Sequence, residues 1–263
     1  MGASGSSGTT VSATGAALEI NGTSALAIPE TFTINGTGLS SGGAIKLVGA
    51  SSAATLSGAI TVASASRINT DITSGTNTLT ISGGITNTNG LTLGGIGSGT
   101  IIDNIEVVSN QDDGVEFFGG TVAVSNMYLE NNDDDSIDWT EGWSGSVTNA
   151  YISHTIPGFS TVFEGDKDNA NPTFTNITAI SSVGGTGLQF KKESGGTITG
   201  LHLVGYDVDL DMKDNGALSN VQIDGASADA ILYAGETNKY MLNSGKNAAP
   251  VELNKWSWID DSF

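Results

Sequence analysis

The chain lacks cysteine altogether and contains only four prolines among its 263 residues. Without cysteine, disulfide bonds cannot contribute to its stability. It has no run of 18 or more apolar residues, so the sequence predicts no membrane-spanning helix. Aromatic residues make up 6% of the chain and hydrophobic residues 38%. These fractions are low for a compact globule and suit a fold built of narrow coils.

Basic residues are scarce as well. Nine Lys and Arg residues face 28 Asp and Glu residues, which gives a formal net charge of −19. The first 100 residues carry −1 of this charge and the remainder −18. An acidic surface repels phosphate backbones and anionic lipids, so we expect no nucleic-acid partner and no insertion of this chain into a membrane. The charge is compatible with a salty or calcium-containing exterior.

What the chain does contain is a repeated phrase, asparagine-hydrophobic-any-hydrophobic, in its second half. It occurs at 104–107, 126–129, 149–152, 176–179 and 220–223, with a glycine version at 200–203. Successive phrases start 20 to 27 residues apart. A period in this range with short β-type segments is typical of a solenoid. We therefore predict an all-β chain folded as a single parallel β-helix, right-handed because parallel crossovers nearly always are.

A second strand follows each phrase at a nearly constant distance. These segments lie at 115–117, 137–139, 161–163, 188–190, 208–210 and 230–232. Alternation places the first and third residue of each triplet inside, so Phe117, Trp139, Phe163 and Phe190 are expected in one buried column. The recurring asparagine tolerates left-handed backbone and can donate its side-chain amide to the next coil. We interpret it as architecture and not as chemistry.

These patterns divide the chain into a short tag and one elongated domain. Residues 1–8 resemble a cloning scar or linker. Residues 9–239 are predicted to be continuous β-helix, with looser coils over 9–99 and acidic coils over 100–239. Residues 240–263, which include Trp256 and Trp258, are predicted to form a C-terminal cap over the unpaired strand edge. The N-terminal end shows no comparable cover, which suggests head-to-tail self-association.

Two parts of the chain resemble known β-helical proteins. The phrases ALEINGTS and TFTINGTGLSSGGAIKLVG in the first 90 residues resemble the passenger repeats of bacterial autotransporters, which are secreted right-handed β-helices. The phrases NNDDDSIDWTEGWSGSV and FEGDKDNANPTFTN, within residues 90–190, resemble secreted bacterial proteins of undefined activity with pectin-lyase-like β-helices. These resemblances imply the fold and an extracellular or cell-surface location. Their meeting in one chain fits either a natural mosaic or an engineered chimera.

Clustered acidic residues are the best candidate for a functional site. In the coil alignment two runs of aspartate share one corner, and Glu116 and Asp138 stack as outward neighbours about 5 Å apart. Clustered carboxylates are the oxygen ligands that Ca²⁺ takes, whereas the plain interpretation is a solvated acidic corner whose aspartates cap turns. The candidate metal ligands are Asp112, Asp113, Glu116, Asp133, Asp134, Asp135, Asp138, Glu164, Asp166 and Asp168.

Cleavage of a polysaccharide is the enzymatic alternative. Hydrolysis needs two carboxylates at a set separation, and Asp113, Asp134, Asp135 and Asp138 could supply them. A lyase also needs a base and cationic help for the uronate charge. The only arginine, Arg67, lies in the other half of the chain. The sequence therefore favours a non-catalytic role.

Aromatic, histidine and threonine side chains suggest weaker possibilities. Trp143, Tyr128 and Tyr151 are expected to be exposed and could stack on sugar rings. His154 and His202 are expected to be exposed to solvent. An outward file of Thr33, Thr61, Thr80 and Thr92 could bind ice.

Together these features favour an exported, non-catalytic structural or adhesive module, or a fibre subunit, that Ca²⁺ could rigidify. The alternatives are a carbohydrate-active enzyme or glycan binder that uses the acidic face, and an ice-binding protein. Glycans and cell surfaces are the expected partners.

Overall fold

A computed structural model describes residues 8–12, 14–21, 25–49, 53–71, 78–87, 89–95, 99–214, 217–228, 232–236, 239–242 and 245–259. Most of the predicted N-terminal tag, residues 230 and 231 of the last predicted triplet, and residues 260–263 of the predicted cap lie outside these ranges. Within them the chain forms 24 β-strands and three short 3₁₀ turns at Leu39–Ser41, Leu218–Asn220 and Leu253–Lys255. The predicted all-β architecture is confirmed.

The strands wind around a three-sided coil. The first face contains β2 (Leu18–Asn21), β5 (Ile45–Val48), the second half of β7 (Ile60–Asp71), β10 (Leu91–Gly94), β12 (Val115–Phe118), β14 (Ile137–Thr140), β16 (Thr161–Gly165), β18 (Thr186–Phe190) and β20 (Val208–Met212). The second face contains β3 (Ala25–Ile28), β6 (Ala53–Leu56), β8 (Thr78–Ile81), the first halves of β11 (Thr100–Val108), β13 (Ala123–Glu130), β15 (Ser146–His154), β17 (Thr173–Ser181) and β19 (Gly196–Val204), and β21 (Val221–Ile223). The third face contains β1 (Thr9–Val11), β4 (Phe32–Gly36), the first half of β7, β9 (Ile85–Asn87) and the second halves of β11, β13, β15, β17 and β19.

Every pairing between successive coils is parallel. On the third face the register runs through Thr9, Phe32, Ile60, Ile85, Ile105, Met127, Ala150, Ile177 and Leu201, which is eight turns. The shortest of these coils has 20 residues, from Ile85 to Ile105, and the longest has 28, from Phe32 to Ile60. The prediction of a parallel β-helix with 20 to 27 residues per coil therefore holds closely.

Alternating inward side chains build one continuous apolar column inside the coil. The predicted aromatic column needs one correction. Trp139 pairs with Gly165, and Phe163 pairs with Ile137, so Phe163 belongs to the neighbouring column. A Cβ on Gly165 would lie 2.6 Å from the Trp139 ring, so the missing side chain makes room for the indole. Val162, which alternation had placed outside, is also buried.

The recurring asparagines mark the corner between the second and third faces. Asn104, Asn126, Asn149 and Asn176 have φ between 55° and 67°, in the left-handed region. The amide of Asn149 donates to Asn126 Oδ1, and that of Asn176 to Asn149 Oδ1, both at 3.1 Å. The left-handed backbone and the side-chain hydrogen bonds between coils, both predicted for these asparagines, are confirmed. We call the row of asparagines the corner ladder. Each long strand from β11 to β19 bends at this corner and serves two faces.

The assignment of 220–223 to the same ladder is wrong. Val221 pairs with Gly196, so this segment lies on the second face. After Ile223 the chain turns back at Asp224 and Gly225 into β22, and the Asp224 carboxylate accepts a hydrogen bond from the Gly200 backbone N–H at 2.8 Å.

The C-terminal region does two different things. β23 (Leu232–Glu236) and β24 (Lys239–Leu242) form an antiparallel hairpin, and β24 also pairs antiparallel with β20 at the end of the coil. β22 (Ala226–Ser227) folds back on β21. Residues 245–259 were predicted to belong to the end cap but instead run along the third face. We call them the strap.

The strap passes from the last coils back toward the first half of the chain. The Leu203 N–H donates to Lys246 O, and the Ala248 N–H donates to Leu201 O. Further along, the Val251 N–H donates to Thr178 Oγ1 at 2.8 Å. Trp258 lies beside Thr86 and Asn104. No helix in the described part of the chain is long and apolar enough to cross a membrane.

Candidate functional site

The first face carries a straight row of outward side chains across successive coils. In register order the row contains Arg67, Thr92, Glu116, Asp138, Glu164 and Gln189. The prediction that Glu116 and Asp138 are direct neighbours is confirmed. Neighbouring strands lie about 4.8 Å apart, so these carboxylates cannot avoid one another. The row therefore concentrates negative charge in the middle of the face.

The corner that precedes this face adds a third carboxylate. The Asp135 backbone N–H donates to Asp113 Oδ1 at 3.0 Å, which fixes the Asp113 side chain at the turn. As a result, Asp113, Glu116 and Asp138 each place one carboxylate oxygen within 4.8 Å of the others. All three side chains are half-buried. We call these three residues the acidic trio.

A second, more exposed set shares one residue with the trio. Asp112, Asp113 and Asp134 also hold carboxylate oxygens within 4.8 Å of one another. Asp112 and Asp134 are exposed to solvent, so water screens their charges better than those of the trio. Asp113 therefore connects a shielded set of carboxylates with an open one.

Burial and mutual repulsion change the protonation of the acidic trio. Burial, followed by the charges of neighbouring carboxylates, raises the pKa of Asp138 to about 9. Burial also raises the pKa of Asp113 to about 8 and that of Glu116 to about 7. The charge of Arg67 and hydrogen bonding with Asp138 lower the pKa of Glu116 and offset part of this rise. The other carboxylate oxygen of Asp138, Oδ1, is buried and has no hydrogen-bond partner among the described residues.

The remaining predicted ligands have other surroundings. Glu164 forms an ion pair with Lys191, and Asp166 forms one with Lys192 at 3.2 Å. Asp135 is buried and accepts a hydrogen bond from the Thr161 hydroxyl at 2.5 Å; burial raises its pKa to about 6. Asp133 and Asp168 are exposed, and neither belongs to a cluster of three within the described residues.

Arg67 lies in the same row as the acidic residues, although its position in the sequence suggested that it lies apart from them. Although it lies in the other half of the chain, it occupies the same outward row two coils from Glu116. Its positive charge lowers the pKa of Glu116 against the larger effect of burial. Arg67 Nε donates to Asn69 Oδ1 at 2.7 Å, and its guanidinium lies over the Phe118 ring. Two coil lengths before Glu116 the sequence reaches Arg67, so the coil period alone predicts that the two share a row.

Two cavities lie beside the acidic trio. The smaller has a volume of about 60 Å³ and is lined by Thr92, Asp113 and Glu116 among others. A water molecule needs about 10–15 Å³ of such space, so this cavity has room for an ion with water molecules. The larger is an open groove of about 740 Å³ along the adjacent corner, lined by Asn89, Asn110, Asp112 and neighbouring, mostly polar residues.

The predicted sugar-stacking aromatics are not exposed. Trp143 is fully buried, because its indole stacks on Phe117 at 4.1 Å and its N–H donates to Val122 O. The prediction that Trp143 is an exposed sugar-binding side chain is therefore wrong. Tyr128 and Tyr151 stack on each other at 6.0 Å and are half-buried. They lie on the third face, in one column between Glu106 and Thr178. The strap lies beside both ends of this column.

Neither histidine is freely exposed. His154 is completely buried between Ser136 Oγ at 3.1 Å and the Tyr206 hydroxyl at 3.0 Å, and burial lowers its pKa to about 4. The Nδ1 of His202 lies 2.8 Å from Ala248 O of the strap. The prediction of solvent exposure is wrong for His154, since the coil closes around it, and His202 is half-buried under the strap.

The predicted threonine file does not form. Thr33 and Thr61 share a column on the third face, whereas Thr80 lies on the second face and Thr92 on the first. Each coil has three strands and not two, so these residues lie on different faces of the coil.

The comparisons with known proteins agree with this architecture. A family model described as a pectate-lyase-like β-helix domain matches residues 11–256. No curated protein and no solved structure matches the chain. Because the family model covers nearly the whole chain and the coil has the expected parallel register, the chain belongs to the pectate-lyase-like β-helix family.

Proposed function

We propose that this protein is a non-catalytic β-helix module that binds a divalent cation, with Ca²⁺ as the fitting ion, at the acidic trio. The carrying observation is that three half-buried carboxylates lie within 4.8 Å of one another, with the buried Oδ1 of Asp138 lacking a partner among the described residues. Like charges at this range repel unless a proton or a cation lies between them. Carboxylate oxygens are the ligands that Ca²⁺ prefers, and water completes its coordination.

The geometry favours ion binding over hydrolysis of a glycosidic bond. Glycosidases separate their two carboxyl groups by about 5 to 9.5 Å, so that a sugar and a water molecule can fit between them. In the trio the nearest oxygens lie within 4.8 Å of one another, and the cavity that Asp113 and Glu116 line, about 60 Å³, is smaller than a sugar site requires. The groove of about 740 Å³ is lined by no member of the trio. A bound cation instead ties β12 to β14 across two coils, since Glu116 and Asp138 belong to those strands.

The wider role that we propose is a rigid structural or adhesive element outside the cell. A long coil of about eight turns with an acidic surface supports this role, because its charge keeps the sheet soluble in a calcium-containing medium. The resemblance of the N-terminal coils to autotransporter passenger repeats, which are secreted, also supports export.

Thermal unfolding with and without calcium tests the cation site. We expect the melting temperature at pH 8 to rise by several degrees between excess chelator and millimolar Ca²⁺. Asp138→Asn removes one ligand charge and should abolish the rise, whereas Asp133→Asn, an exposed residue outside both clusters, should retain it. An unchanged melting temperature of the wild-type protein would refute the proposal.

A second function has one observation in its favour, namely Arg67 in the same row as Glu116. A cationic guanidinium beside a bound cation could hold a uronate carboxylate, so cation-dependent binding or cleavage of an acidic polysaccharide is the alternative. Incubation with polygalacturonate and Ca²⁺ separates the two. Unsaturated products that disappear in Arg67→Ala would establish the alternative, and their absence would favour the non-catalytic module.

A further inference from the structure

The strap and the third face together line an open cavity, away from the acidic trio. The cavity has a volume of about 360 Å³ and is lined by Asn149 and Asn176 of the corner ladder and by Pro250, Glu252, Lys255 and Trp256 of the strap. Cavities that bind small organic ligands begin at about 300 Å³. This space is therefore large enough for a ligand of the size of a sugar ring.

One wall of the cavity offers hydrogen-bonding amides in a fixed orientation. Asn149 is held by its donation to Asn126 Oδ1 and by the bond that it accepts from Asn176. The ladder stops at Asn176, because the next coil has Gly200 at the corner. Among the described residues no side chain donates to Asn176 Oδ1, so this acceptor remains available at the cavity wall.

The opposite wall offers an aromatic surface. Trp256 lines the cavity, and its ring stacks on Trp258 at 5.3 Å with an interplanar angle of 25°. This stacking fixes the indole, so a ligand that packs against it loses little further entropy. An indole plane opposite planar amides suits a ligand with an apolar ring face and hydroxyl groups at its edge.

The charges at the rim cancel. Lys255 and Glu252 form an ion pair with each other, one turn apart on the strap. No net charge remains at the opening, and the protein as a whole carries −19, which repels anionic polymers. The cavity therefore favours an uncharged ligand.

A second cavity repeats the same combination further along the strap. It has a volume of about 170 Å³ and is lined by Trp258 together with Asn104, the corner asparagine of an earlier coil, and Thr86. Successive tryptophans of the strap thus face successive parts of the asparagine corner. A ligand with repeating rings matches this arrangement better than a single compact molecule does.

We propose that the strap and the asparagine corner form a binding site for a neutral oligosaccharide. One pyranose ring stacks on Trp256 and its hydroxyl groups bond Asn149 and Asn176. The site shares no residue with the acidic trio, so the two proposals can succeed or fail separately.

Calorimetric titration of the full chain with a panel of neutral hexasaccharides (cellohexaose, xylohexaose, mannohexaose and maltohexaose) tests this proposal in the presence of chelator. We expect binding of at least one of them. Trp256→Ala should weaken that binding by about tenfold or more, and Trp256→Phe should retain part of it because an aromatic face remains. Circular dichroism confirms that each variant is folded.

Two asparagine-to-glycine variants test the amide wall of the cavity, one inside the cavity and one outside it. Asn176→Gly creates at one coil the residue that the next coil has naturally at Gly200, so the left-handed backbone is preserved. It should weaken binding by about tenfold, whereas Asn171→Gly, an exposed asparagine with the same left-handed backbone (φ 56°) that lines neither cavity, should not. Three results would overturn the proposal: no binding of any neutral hexasaccharide at millimolar concentration, equal effects of the two glycine variants, or binding of polygalacturonate alone.

Discussion

At the scale of single residues, the acidic trio stores protons that the unfolded chain does not hold. The pKa values of Asp113, Glu116 and Asp138 lie at about 8, 7 and 9, above the value near 4 expected in the unfolded chain. At pH values between the unfolded-state and folded-state pKa values, the folded state binds more protons than the unfolded state does. The free energy of unfolding therefore falls as the pH rises.

This linkage gives a prediction between pH 6.5 and pH 9. His154, whose pKa is lowered to about 4, costs stability only below pH 6.5, so the carboxylates dominate above it. In chelator, we expect the free energy of unfolding measured with urea to decrease steadily over this window. In saturating Ca²⁺ the decrease should be smaller, because the cation replaces the protons. A free energy that does not change with pH in chelator would contradict the assigned surroundings of the trio.

A second residue, Gly165, controls the core next to the site. Its missing Cβ admits the Trp139 indole, and a methyl group there would lie 2.6 Å from the ring. Gly165→Ala should therefore destabilise the protein by about 1–3 kcal/mol, the usual cost of overpacking. Gly15→Ala is the matched control, because a Cβ at Gly15 meets no atom within 4 Å. Equal urea midpoints for the two variants would show that Trp139 can repack.

At the scale of elements, the strands of the coil were largely predictable and the strap was not. Asn104 and its counterparts mark each coil because their spacing and their left-handed backbone are local properties. The first half of each long strand escaped notice, since segments such as 146–148 (Ser-Val-Thr) contain one inward apolar residue each. The strap has no periodic signal, and its path depends on distant contacts such as Val251 with Thr178.

The buried positions of Trp143 and His154 were also beyond the sequence. Both residues lie at or beyond the end of a predicted strand, where alternation no longer decides between inside and outside. Trp143 is buried because the ring of Phe117 stacks beneath it. His154 is buried because Ser136 and Tyr206, which are 18 and 52 residues away, satisfy its ring nitrogens. Such partners are set by coil register and not by neighbouring sequence.

The strap can be tested as an element by hydrogen exchange. The Leu203 N–H donates to Lys246 O, so removal of residues 245–263 should leave this amide without its partner. We expect its exchange to become at least tenfold faster in the truncated chain. The Leu129 amide, inside the parallel ladder between β11 and β13, should change little and serves as the internal control. Unchanged protection of Leu203 would mean that the strap is not seated on the coil.

At the scale of the whole molecule, the two ends of the coil differ. The C-terminal end is covered, since β24 pairs antiparallel with β20. At the N-terminal end, β1 to β3 each pair with one later strand and with no earlier one in the described part of the chain. Open strand edges promote pairing with other chains, so self-association through this end remains a prediction. Multi-angle light scattering should show a mass that increases with concentration, and a constant monomer mass would exclude it.

The central claim for the whole molecule is that a divalent cation joins neighbouring coils at the acidic trio. A crystal structure of the protein grown in millimolar Ca²⁺ at pH 8 tests this claim most directly. We predict an anomalous peak with oxygen atoms of Asp113, Glu116 and Asp138 at about 2.3–2.6 Å from it. The absence of a peak between the three carboxylates under these conditions would contradict it.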